Sequence, residues 1–148
     1  PNQTDLLHYH FIIDNEGKCH NGVYTVQDNE NCLDGVYAAH TGGGNTGSIG
    51  VALCGMCGFA GMNNIGKYPL TSVQCERMFK LVAELSKKYN IPITSSNIMT
   101  HYEFGLKNPK TSSKGKIDIV CLPPFPSITK DKIGDFIRSK VRWYFVHL

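Results

Sequence analysis

The stretch "SIGVALCG", residues 48–55, most narrows what this chain can become. Its apolar residues run almost unbroken, whereas a strand with one wet face alternates apolar with polar. Such a run predicts a strand buried on both faces, of the kind found in sheets covered by helices. The segment from Thr71 predicts one of those helices. Thr71 and Gln74 have capping-box spacing. Val73, Met78, Leu81, Val82, Leu85 and Tyr89 then recur down one face, with Pro92 just beyond the end. A last helix is expected behind Thr129 as its cap, with Asp131 in the first turn. Ile133, Phe136, Ile137, Val141 and Tyr144 make its buried side.

The sheet should have further members. "LLHYHFIID" partly alternates and is rich in aromatic and β-branched residues, which predicts a strand. "NEGK" predicts a turn and "CHNGVY" a second strand, together an antiparallel hairpin. "SNIMTHYEF" predicts a short strand that delivers His101 near its end. "TVQDNENCLDG" and residues 58–70 are expected to be loops, and "KIDIVCLPPFPSI" to start extended or helical until its prolines stop it. With no repeat or linker in view, residues 1–148 are expected to form one α/β or α+β domain, a central mixed sheet flanked by helices. That length can bury a sizeable core.

Apolar residues at 41% and charged residues at 18% place the chain among globular rather than disordered sequences. The net charge of +3 is mild, and only Lys107, Lys110, Lys114 and Lys116 cluster, a pattern that usually marks a solvated loop. No finger, helix-turn-helix or RNP-like pattern accompanies them, so nucleic acid is not an expected partner. No apolar run approaches the roughly 18 residues of a membrane span. The opening "PNQTDLLHYH" lacks a signal peptide's basic leader and apolar core, and reads as the middle of a domain. The six cysteines lack the spacing of a stapled scaffold and are expected to be reduced. "CGMC" is followed by loop rather than the helix a redox pair needs, and has no second pair for a structural zinc.

Residues 100–120 carry the candidate chemistry. His101 is expected on a scaffold end, and Asp118 follows 17 residues later (118 − 101). Imidazole nitrogen and carboxylate oxygen are both good zinc donors, although Asp118 could equally cap or pair with a lysine. Lys116, two residues before Asp118, should share its face if the segment is extended. It would then either pair with that carboxylate or stabilise negative charge on a carbonyl oxygen. Glu103 could orient neighbouring groups. Tyr9 should face away from His8 and His10, as packing or as a hydrogen-bond donor. His40 opens the glycine loop "HTGGGNTGS", where it is either a hydrogen-bonded structural residue or part of a cleft wall. That loop lacks the context of a phosphate-binding motif.

Taken in order, "HYHFIIDNEGK", "AAHTGGGNTGSIGVALCG" and "THYEF…NPKTSSKGKIDI" resemble the zinc-dependent N-acetylmuramoyl-L-alanine amidases of type 2. That family includes phage lysozyme-like amidases and peptidoglycan recognition proteins. The resemblance implies zinc held by His101 and Asp118, with Lys116 aiding the transition state. It also implies Tyr9 at the reaction centre and His40 in the cleft. The substrate would be peptidoglycan, cut by a zinc-activated water between N-acetylmuramic acid and L-alanine of the stem peptide. A monomeric lytic enzyme acting on the bacterial wall is implied, either phage-borne or secreted. The family's first zinc ligand lies on a strand expected upstream of Pro1. Alternatively, His8 or His10 replaces it, or zinc is lost and the fold is a metal-free wall-recognition module. A cysteine amidohydrolase pairing Cys54 or Cys57 with His101 is the rival enzyme class.

Overall fold

Three short strands, Phe11–Ile13 (β1), Cys19–Asn21 (β2) and Val51–Leu53 (β3), form one mixed sheet in the order β2–β1–β3. They belong to a computed structural model that describes residues 1–148. β1 pairs antiparallel with β2 and parallel with β3. The hairpin turn is built on Asp14, whose Oδ1 accepts the amides of Glu16 and Lys18 at 2.9 and 3.0 Å, while His20 meets its other oxygen at 2.8 Å. Gly17 takes φ +85° there, a conformation that costs glycine nothing.

The predicted first strand is only half a strand. Gln3–His8 is a helix, α1, and the chain becomes extended at Tyr9. Asn2 Oδ1 accepts the Asp5 amide at 2.8 Å and Asp5 returns the favour to the Asn2 amide at 3.1 Å. That capping box satisfies two otherwise orphaned amides, and it outweighs the strand preference of the residues behind it. β3 differs too. All three of its residues are half-buried rather than enclosed, because one side of the strand lines a cleft.

Helix α2 spans Ser72–Tyr89 behind the expected Thr71–Gln74 capping box. Met78, Leu81 and Leu85 are buried as predicted, together with Cys75 and Phe79, but Val73 is 54% exposed. The burial stripe starts one residue later, at Gln74. Its side chain is fully buried, and Nε2 donates to the carbonyls of Ile13 at 2.9 Å and Cys54 at 2.7 Å. One glutamine thereby caps its own helix and closes the ends of β1 and β3.

Ile133–Val146 forms a long C-terminal helix, and Ile133, Ile137 and Val141 bury against α2 in the core shared with Ile13, Phe79 and Leu122. Phe136 and Tyr144 are half-buried at its margin. Thr129 makes no side-chain cap. It precedes a 3-10 turn, Lys130–Lys132, that leads into the helix. Phe125 and Phe136 pack as tilted rings 4.8 Å apart and both reach Phe79 at 6.1 Å, sealing the outer edge. The segment from Lys116 to Ile128 holds neither helix nor strand.

"SNIMTHYEF" is not a strand. His101–Lys107 is a helix, and Thr100 caps it by accepting the Glu103 amide at 3.1 Å while Glu103 accepts the Thr100 amide at 3.0 Å. In chain order these last two helices are α3 (His101–Lys107) and α4 (Ile133–Val146). All six cysteines are free thiols, with Cys75 and Cys121 buried and Cys57 exposed. No helix is long and apolar enough to cross a membrane.

Candidate active site

A cleft of about 630 Å³ runs between β3, α2 and the start of α3, and its polar end gathers Tyr9, His40, His101 and Asp118. The capping box of α3 places His101 at the first helical position. The next amide, that of Tyr102, has no intrahelical partner and donates to the Asp118 carbonyl at 2.8 Å. This backbone bond draws Asp118 across to His101. Their side chains meet with Nδ1 and Oδ2 3.3 Å apart.

Hydrogen-bond partners fix where the ring protons sit. Ser113 Oγ lies 2.8 Å from the Gly42 carbonyl and 2.9 Å from His101 Nε2. A carbonyl can only accept, so with the single hydroxyl proton donated to Gly42 it is Nε2 that donates to Ser113. In that tautomer it is the unprotonated Nδ1 that faces Asp118. His40 has the same arrangement. Ser48 Oγ faces two carbonyls, Gly44 at 2.6 Å and Asn45 at 2.8 Å, so His40 Nε2 is the donor to it at 3.0 Å, while Thr41 Oγ1 sits 2.8 Å from Nδ1. His10 is closed on both sides, accepting the Gly50 amide at Nδ1 and donating from Nε2 to Asn29. Of these three histidines, only His101 has a ring nitrogen left for a ligand.

His8 lies on α1 with Nδ1 on the Thr4 carbonyl at 2.7 Å. Neither His8 nor His10 lines the cleft. Tyr9 does, turned away from His10 as expected, though from the end of α1 rather than from a strand edge. Burial raises its phenol pKa, and the charges of Asp118 and Asp5 raise it further, so the hydroxyl keeps its proton. Lys116 is exposed and outside the cleft lining, and its segment is not extended strand, so the two-apart face argument does not apply there. Cys54 and Cys57 are also outside this lining.

Glu103 serves the scaffold. Arg138 on α4 grips both its oxygens at 3.0 and 2.9 Å, and also bonds Asp135 at 2.8 Å and the Ile98 carbonyl at 2.9 Å. A Cβ at Gly134 would overlap the Glu103 carboxylate and displace it from its place against Arg138. Sequence reasoning missed Arg138, Ser113 and Asn29. The helix signal was legible in the Thr100–Glu103 spacing; the long-range partners had no local signal.

Burial, then the neighbouring His10 and His101, pushes His40 down to about 4 from an ordinary 6.5. Burial also lowers His10, against smaller opposing hydrogen bonds. An unfolded histidine takes up its proton below 6.5, while folded His40 does so only near 4. Stability therefore falls as pH drops through that window, by at most about 3 kcal/mol for His40. Urea unfolding over a pH series should show the slope, and His40→Gln should flatten it.

A tetrahedral zinc with bonds of about 2.0–2.2 Å to nitrogen and oxygen sets neighbouring ligand atoms roughly 3.3–3.5 Å apart. The open His101 Nδ1 and the Asp118 carboxylate fit two such positions. No three His, Cys, Asp or Glu side chains converge on one ion position, so these residues supply a ligand pair and not the usual three.

An α+β fold whose cleft joins an open imidazole nitrogen to a carboxylate, beside a neutral phenol, has the make-up of a hydrolytic enzyme. A family model for N-acetylmuramoyl-L-alanine amidase matches residues 1–117, and the chain belongs to that family. Membership carries amide hydrolysis in peptidoglycan as the general activity. The match stops one residue short of Asp118. No curated protein and no solved structure matches the chain.

Proposed function

We propose that this protein hydrolyses the amide between the lactyl group of N-acetylmuramic acid and L-alanine of the stem peptide, using zinc held by His101 and Asp118. The observation that carries this reading is the 3.3 Å approach of His101 Nδ1 to the Asp118 carboxylate inside the cleft of an amidase-family fold, with Ser113 on the other ring nitrogen. Two acceptors facing each other invite a cation between them. Zinc bound there supplies an acidified water and a Lewis acid for the scissile carbonyl.

The chain's own residues do the rest. Tyr9 keeps its proton and donates a hydrogen bond as charge builds on the carbonyl oxygen. His40, neutral and held at both nitrogens, forms a fixed wall rather than a proton carrier. Glu103 is committed to Arg138 and the α3 cap, so it is not the base. Lys116, exposed and outside the cleft lining, is assigned to the developing oxyanion on the resemblance alone. Lys116→Ala should keep zinc but lower turnover by a barrier increase of about 3 kcal/mol, typical of a lost oxyanion donor. Comparing zinc content with turnover number checks it.

The direct test is digestion of purified cell walls with end-group analysis. New alanine N-termini should appear, stop with chelator and return with zinc. New reducing sugar ends, a different new N-terminus, or cleavage indifferent to chelator would overturn the assignment. Wall binding without cleavage would favour the metal-free recognition module, to which the ligand pair alone lends support.

A further inference from the structure

Ser113 sits behind His101, fully buried, on the polar loop between α3 and the segment carrying Asp118. The loop is pressed onto α3 so closely that a Cβ at Gly105 would overlap the Ser113 carbonyl. The Lys116 amide returns to that carbonyl at 3.2 Å, closing a turn. Within it the hydroxyl is trapped between an obligate acceptor, the Gly42 carbonyl, and the ring of His101.

We propose that Ser113 is a positioning residue that holds the ring proton of His101 on Nε2 and so presents Nδ1 to a divalent metal beside Asp118. The metal half of this statement rests on the zinc reading above; the proton half does not. His40 is the internal comparison. Ser48 performs the same service for it, yet Thr41 occupies the Nδ1 that would otherwise be free. Two serine-held histidines thus differ in one respect, an open Nδ1, and the open one is the histidine facing a carboxylate. Without Ser113, the other tautomer would let Nδ1–H donate straight to Asp118 across the 3.3 Å gap, and the pair would satisfy itself. The serine keeps that pair from closing. Outer partners of this sort are worth about 10–100-fold in metal affinity.

The test combines nitrogen NMR of the imidazoles in metal-free protein, in mildly alkaline solution, with zinc titration. Wild-type His101 should show its proton on Nε2. Ser113→Ala should move population to Nδ1–H and weaken zinc binding by about 10–100-fold. Ser113→Thr, which keeps a hydroxyl, should restore both. A wild-type spectrum with the proton on Nδ1 overturns the proposal without any variant, as does Ser113→Ala with unchanged tautomer and affinity. If wild-type protein binds no zinc at His101 but Ser113→Ala still shifts the tautomer, the zinc reading fails, the metal half falls with it, and the serine's hold on the proton stands.

Discussion

Asp118→Ala and His101→Ala should each leave a folded protein that releases no muropeptide and retains no zinc. The structure separates loss of function from loss of fold. The Asp118 side chain is 59% exposed, and what docks its segment is the backbone bond from the Tyr102 amide, which alanine keeps. Truncating an exposed side chain away from caps and core costs roughly 0.5 kcal/mol or less. His101→Ala also loses the bond to Ser113, worth about 1 kcal/mol, still far from unfolding a domain of this size. On the proposed zinc reading the chemical effect is of another order, since losing either side chain would remove the metal that makes water reactive. Wall-digestion assays beside circular dichroism melts check both halves. Full activity in either variant sinks the assignment.

Arg138→Met should cost about 3 kcal/mol of stability, the lower end of the range for breaking a buried ion pair. Arg138 is 3% exposed and bonds Glu103, Asp135 and a backbone carbonyl, so its removal strands the Glu103 carboxylate partway inside. Burial pushes Glu103 up. The Arg138 hydrogen bonds and the Thr100 amide outweigh it and hold the carboxyl below its usual range. That contribution is present above the ordinary carboxylate pKa and is lost as pH falls through the folded value. Glu103→Gln should cost less, because an amide oxygen can still cap Thr100. Chemical unfolding of both single variants and the double variant measures the coupling; a coupling near zero contradicts the clamp. Because the same carboxylate caps α3, whose first residue is His101, activity should fall with the clamp.

The parts legible in the sequence were those dictated by neighbours in the chain. The Thr71–Gln74 box gave α2 its start, and "NEGK" marked the hairpin turn, which the structure closes on Asp14. Two further boxes, Asn2–Asp5 and Thr100–Glu103, were equally present, but strand-like residues beside them drew the reading toward extended chain. In both places local cap bonds beat residue preference, and at α3 the distant Arg138 reinforces the cap. The His101–Asp118 pairing emerged from donor chemistry and resemblance together, and the structure brings the two side chains to one point. What composition and spacing could not reveal was the tautomer. It depends on Gly42 and Ser113, 71 residues apart, meeting at one hydroxyl.

Anomalous diffraction from crystals soaked in zinc addresses the core of this account. The prediction is a zinc peak within about 2.0–2.2 Å of both His101 Nδ1 and an Asp118 carboxylate oxygen. A peak elsewhere, or His101 Nδ1–H bonded directly to Asp118 with no ion between them in zinc-saturated crystals, would contradict it.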